Sequence, residues 1–205
     1  MATAAKHRLT AQEYRALERK AETRSEFIDG EMFAMAGGTR RHSLIAANLI
    51  GELRARLKGK TCQVFTSDMR IKVEATGLYA YPDAQVACGR LRFEDSLEDV
   101  LLNPKVIFEV LSPSTATWDR GKFSHYQQIE SLTDYVLVWQ DVWLLEHYTR
   151  QQDDTWRAEV LTGAKATLSL TSIKVRVPLR EIYSNAGLKA GVLPPEQFTA
   201  TYLKR

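Results

Sequence analysis

A mixed α/β fold is what this sequence predicts, and three features carry the prediction. Apolar residues recur at helical spacing at Ile45, Leu49, Leu53 and Leu57. Three extended runs follow, "CQVFTSDMRIKVEA", "YPDAQVACG" and "NPKVIFEVLS". A helical stretch over 121–131 then leads into "DYVLVW", an apolar strand. Strands separated by a helix imply a partly parallel central sheet with helices on its faces.

The elements follow in order. Thr10-Ala11-Gln12-Glu13 has the form of a capping box, so a short helix runs to about Ala21. Asp29-Gly30 in "SEFIDGEMFAM" marks a hairpin, because both residues tolerate positive φ. "AGGTRRHS" reads as a flexible basic loop, and the periodic stripe predicts a helix over 43–58, stopped at Gly59. "RLRFEDSLEDVLL" reads as a surface excursion between the second and third runs. Beyond "DYVLVW", the alternating segments "WLLEHYT", "WRAEVL" and "SIKVRV" predict antiparallel strands that extend the sheet. "PLREIY" places proline where a last short helix can begin.

With 205 residues and no linker, repeat or low-complexity tract, one domain over 1–205 is expected. Hydrophobic residues at 44% and charged residues at 26% are ordinary for a globular chain. The net charge of +3 is too small to mark a nucleic-acid binder, so a local basic face would have to carry that argument. No apolar run approaches the roughly 18 residues that span a bilayer. The opening MATAAKHRLT lacks an apolar signal core, so a cytoplasmic protein without membrane association is expected. In that setting Cys62 and Cys88 are expected as reduced thiols, and their spacing fits no zinc site.

Two carboxylates stand out. Tyr81-Pro82-Asp83 enters a strand in extended geometry, with Asp83, Gln85 and Ala87 on one face. In "PKVIFEVLS", Val106, Phe108 and Val110 share one face while Glu109 lies between Ile107 and Leu111 on the other. A carboxylate between two aliphatics on a central strand demands a partner. Ion pairing or loop capping would satisfy it; so would a cation shared by Asp83 and Glu109. Oxygen ligands of this kind suit magnesium or manganese rather than zinc.

Proline-aspartate at a strand start, a glutamate on the next strand and this order of elements resemble the PD-(D/E)XK nuclease superfamily. The blocks "IDGEMFAMAGG…H", "SDMRIKV", "YPDAQVAC", "FEVLSPST…DRGKFSHY" and "YVLVWQ" look like the Uma-type family of bacterial restriction-endonuclease-like proteins. The resemblance spans about residues 26–140. It implies a restriction-endonuclease-like core and magnesium-dependent hydrolysis of nucleic-acid phosphodiesters, with Asp83 and Glu109 as metal ligands. One departure matters. The motif's lysine should stand two residues after the glutamate, where this chain has Leu111. Lys122, early in the following helix, is the expected substitute, since its long stem can deliver the amine from another element.

Further candidates are Glu31, as a third carboxylate or an exposed hairpin charge, and Gln85, placed to bond a metal-bound water. Glu52 and Asp68 read as surface or ion-paired residues, Asp119 and Arg120 as loop stabilisers, and His125 and Tyr126 as helix packing or a groove edge. Arg40, Arg41 and His42 beside Gly37-Gly38 form the clearest basic cluster for phosphates; a solvated loop is the simpler reading of the same residues. The expected function is a magnesium- or manganese-dependent endonuclease acting on nucleic acid, DNA in the first place. A homodimer is expected too, since cutting both strands takes two sites. The alternative is a nuclease-fold module that binds DNA or protein after losing catalysis at Leu111.

Overall fold

The computed structural model describes residues 8–112 and 116–188. Helix α1 (Ala11–Glu18) begins at Thr10, whose hydroxyl accepts the Glu13 amide while Glu13 reaches back to the Thr10 amide, the expected box. Strands β1 (Ser25–Ile28) and β2 (Glu31–Ala34) form the hairpin, with Asp29 at φ 51° and Gly30 at φ 81°. Glycine is needed at position 30, because an added Cβ would lie 2.6 Å from the Arg8 Cβ.

Helix α2 (Arg40–Leu57) starts earlier than periodicity predicts. The Thr39 hydroxyl accepts the His42 amide at 3.1 Å and pulls the basic residues out of the loop into the first helical turn. Strand β3 (Cys62–Thr66) and strand β4 (Arg70–Val73), expected as one run, are separated by a turn in which the Met69 amide donates to the Thr66 carbonyl. They lie in different sheets. Strand β5 (Leu78–Ala80) pairs with β4 and β1; β6 (Ala84–Cys88) returns to β3. The surface excursion carries a short strand β7 (Val100–Leu101), parallel to β4.

Strand β8 (Val106–Leu111), helix α3 (Ala116–Tyr126) and strand β9 (Asp134–Trp139) make a strand–helix–strand unit whose strands are parallel. Helix α3 starts five residues before the predicted Gly121 and ends at Tyr126. Of the loop expected before it, residues 113–115 lie outside the described residues. Strands β10 (Leu144–Arg150) and β11 (Trp156–Thr162) extend the sheet as predicted. "SIKVRV" does not. Its first residues close a 3₁₀ turn (Thr171–Ile173), and β13 (Val175–Pro178) pairs, among the described residues, with β12 (Thr167–Leu170) alone, as a separate hairpin before helix α4 (Leu179–Ile182).

The main sheet has the order β11-β10-β9-β8-β6-β3, and the second β2-β1-β5-β4-β7. Alternation on β8 divides the core. Val106, Phe108 and Val110 pack with the Ile45, Leu49 and Leu53 stripe of α2 and with the β12–β13 hairpin. Ile107 and Leu111 pack on the opposite face with Tyr126 of α3 and with Ile71 and Leu78 of the second sheet. Leu49 is fully buried, so Leu49→Ala is expected to cost about 2–5 kcal/mol, read by urea unfolding.

Cys62 and Cys88 are not free thiols. The β3–β6 register places them on one rung, with Cα atoms 3.9 Å apart, and they form a disulfide. Antiparallel neighbours 26 residues apart carry no spacing signature, which is why the sequence conceals the bond. Among the described residues, no helix is long and apolar enough to cross a membrane.

Candidate active site

The last β6–β8 rung joins Ala84 to Phe108. One step further along the same register, Asp83 falls opposite Glu109. Their side chains share the α3 face, and cross-strand neighbours have Cβ atoms about 5 Å apart. Two groups hold Asp83: the Val110 amide donates to its Oδ2 at 2.7 Å, and His42 Nε2 lies 3.3 Å from the same oxygen. His42 reaches it from the first turn of α2. Gly38 permits this approach, because an added Cβ there would come within 2.9 Å of the His42 ring. Burial works against the imidazolium, but Asp83, together with Asp119 and the Val110 backbone, outweighs it and raises the His42 pKa.

Glu109 is 3% exposed, and its Oε1 accepts from the Tyr126 hydroxyl at 2.9 Å. The Lys122 amine reaches the same oxygen at 2.8 Å, from the helix that follows the strand. That amine also lies 2.9 Å from Asp119 Oδ1 and 3.0 Å from Glu26 Oε1. Leu111, the motif's lysine position, is 1% exposed in the apolar core, so the ammonium has to come from elsewhere.

One ammonium thus faces three carboxylates. Burial alone would lower the Lys122 pKa, but the acidic groups, Glu109 foremost, hold it well above the ordinary lysine range. Burial raises Glu109 far above the ordinary carboxyl range, and Lys122 opposes that shift only in part. Both directions follow from a cluster with more acids than bases: the ammonium is held charged, and the buried Glu109 carboxyl is driven towards its neutral form. Tyr126 is raised by burial and stays a hydroxyl donor.

Other expected residues fall differently. Gln85 shares the site's face but donates to the Met69 carbonyl at 2.6 Å and is fully buried. Glu31 lines a neighbouring cavity; Glu26 takes the place beside Lys122. The basic trio is dispersed. Arg41 bonds Asp141 at 2.6 Å and the Ala186 carbonyl at 3.2 Å, His42 turns to Asp83, and Arg40 remains exposed. Glu52 pairs with Arg56 and Asp68 with Arg24, as surface residues would. Sequence reasoning missed Glu26 altogether, gave Asp119 only a loop-stabilising role and read Tyr126 as helix packing or a groove edge. Asp119, Lys122 and Tyr126 do share one helical stripe, and that spacing was the available signal.

A 530 Å³ cavity opens over Glu26, Asp83, Glu109, Asp119 and Lys122. Its donors are hard oxygens. Among the described residues no group of three or more acidic, histidine or cysteine side chains is placed to hold a metal ion. Two carboxylates in an open cavity nonetheless fit magnesium, which is usually held by one or two carboxylates plus substrate phosphate.

An antiparallel–parallel sheet between helices, with Asp83 and Glu109 adjacent and a lysine brought to them, defines a restriction-endonuclease-like protein. The chain belongs to the Uma2 family, described as "Putative restriction endonuclease", whose pattern matches residues 11–180. Two Synechocystis proteins, both described as uncharacterized, are similar. The first, sll1609, is 34% identical over 168 residues, 82% of this chain and 95% of that one. The second, slr1290, is 34% identical over 150 residues, 73% of this chain and 78% of that one. A crystal structure from Anabaena variabilis, described as "a putative nuclease belonging to DUF820", superposes with a TM-score of 0.70 at 19% identity. It covers 86% of this chain and 98% of that one. At that identity the likeness establishes the fold alone.

Proposed function

We propose that the protein is a magnesium- or manganese-dependent endonuclease that hydrolyses phosphodiester bonds in nucleic acid, DNA in the first place. The observation that carries the reading is the Lys122 amine, 2.8 Å from Glu109 Oε1 and on the same face as Asp83. Acid, acid and lysine meet although the motif position holds leucine. Asp83 and Glu109 would hold the ion, which when bound supplies Lewis-acid stabilisation of charge on the phosphate. Lys122 neutralises the charge that develops as water adds to phosphorus and the bond to the leaving sugar oxygen breaks. Tyr126 fixes the Glu109 carboxyl, while the Val110 amide and His42 fix Asp83. Exposed Arg40, at the start of α2, supplies attraction for the backbone.

The test is cleavage of supercoiled plasmid and single-stranded DNA with magnesium, manganese or EDTA. The expected result is cleavage with either cation and none with EDTA. Asp83→Asn, nearly isosteric, is expected to keep the fold and lose manganese affinity by calorimetric titration. Unchanged binding would remove Asp83 from the ligand set. Plasmid left intact with both cations, by protein that binds DNA, would favour a binding module instead.

A further inference from the structure

We propose that Trp118 and Phe33 form a stacking subsite for an unpaired base of the substrate strand, which makes single-stranded or locally opened DNA the preferred substrate. The inference rests on the nuclease reading of the adjoining carboxylate–lysine cluster.

Among the described residues these are the only exposed aromatic side chains, each 38% exposed. They meet each other, with ring centroids 4.8 Å apart and planes tilted by 41°. Two isolated surface rings would need no explanation; a pair built onto the acidic cluster does. Phe33 is the cross-strand neighbour of Glu26 in the β1–β2 hairpin. Trp118 lies one helical turn before Lys122 on α3, and its indole N–H donates to Glu26 Oε2. One edge of the indole is therefore anchored to the same carboxylate that holds Lys122, and more than a third of the side chain stays open to solvent.

The rings also stand between two cavities. Phe33, Trp118 and Lys122 line both the 530 Å³ cavity over Asp83 and Glu109 and a second one of 740 Å³ that contains Arg8 and His125. Both volumes are of the size that accepts small organic groups. A strand with its scissile phosphate over the carboxylates must pass this wall, and an aromatic face beside a phosphate site is what an unstacked base seeks. Arg8 adds a positive charge to the second cavity, which suits the next phosphate. In a paired duplex the bases are stacked on each other and cannot use the wall without extrusion.

The test measures binding of the full chain, with magnesium, to a labelled phosphorothioate oligothymidylate of about ten nucleotides and to a duplex of the same length. These linkages resist hydrolysis, so binding is read without turnover. Trp118→Ala is expected to weaken single-strand binding roughly 10- to 100-fold, the range for losing one stacked base. Duplex binding should change less than about two-fold. Trp118→Phe keeps a ring and loses the bond to Glu26, so it should retain most of the affinity. Phe33→Ala leaves that bond intact and should still weaken single-strand binding several-fold. Equal losses on both probes, or equal losses for Trp118→Ala and Trp118→Phe, would overturn the subsite. If both alanine variants bind the single strand like the parent while the parent cuts plasmid, the subsite is wrong and the nuclease reading stands. If the parent binds neither probe and cuts nothing, both fail.

Discussion

Lys122→Met is expected to lower metal-dependent cleavage by about 100-fold or more, the scale of one lost electrostatic contact to a transition state. Methionine keeps most of the stem, so the apolar packing changes little. The charge balance changes a great deal. Glu26, Glu109 and Asp119 all lie within 3.0 Å of this ammonium, and without it they lose the cation that all three share. Breaking a buried pair by removing one partner costs on the order of 3–5 kcal/mol, so the variant should also unfold at lower urea at neutral pH. The stability should return as the pH falls, because protonation removes the repulsion. Manganese should return part of it as well, if the cluster accepts a cation. Cleavage at the parent rate by a correctly folded Lys122→Met would end the idea that this lysine replaces the one missing at Leu111.

That prediction depends on a side chain whose placement was only half legible in the sequence. The local signals gave the right elements: Thr10 and Glu13 cap α1, Asp29-Gly30 turns the hairpin, and the Ile45–Leu57 stripe buries α2 against the sheet. Alternation on β8 put Glu109 on the correct face. Helix α3 was misplaced by five residues because polar contacts bury one side of it. Asp119 and Lys122 point into an ionic cluster, and an apolar periodicity cannot register them. Glu26 sits in a four-residue strand with nothing in its neighbourhood to mark it. Its importance comes from β1 lying beside β5 in a second sheet, and such a pairing of distant segments has no local trace. The disulfide was hidden for the same reason, and so was the splitting of one apparent strand into β3 and β4. Exposure of Trp118 is likewise a property of the assembled surface rather than of the residue.

Glu109→Gln separates the electrostatic cost of the site from its function. Glu109 is the deepest acid, and burial raises its pKa far above the ordinary value of 4.5 despite the Lys122 ammonium. A carboxyl raised in the folded state binds its proton more tightly there than in the unfolded chain. Its contribution to stability is therefore complete below about pH 4.5 and is lost as the pH rises through the folded-state value. Each unit of that upward shift costs about 1.4 kcal/mol at a pH above both values. Glutamine can still accept from Tyr126 and Lys122, and it carries no titrating proton. The variant is expected to be more stable than the parent at neutral and alkaline pH, with the difference vanishing towards pH 4. Urea midpoints measured across that range decide this. Cleavage should be lost together with manganese binding, because an amide cannot give up a proton to become the anionic ligand proposed at this position. A variant less stable than the parent at neutral pH would mean that the Lys122–Glu109 ion pair outweighs the burial of its charges. The surplus of acids around Lys122 would then not be the strained feature of this site.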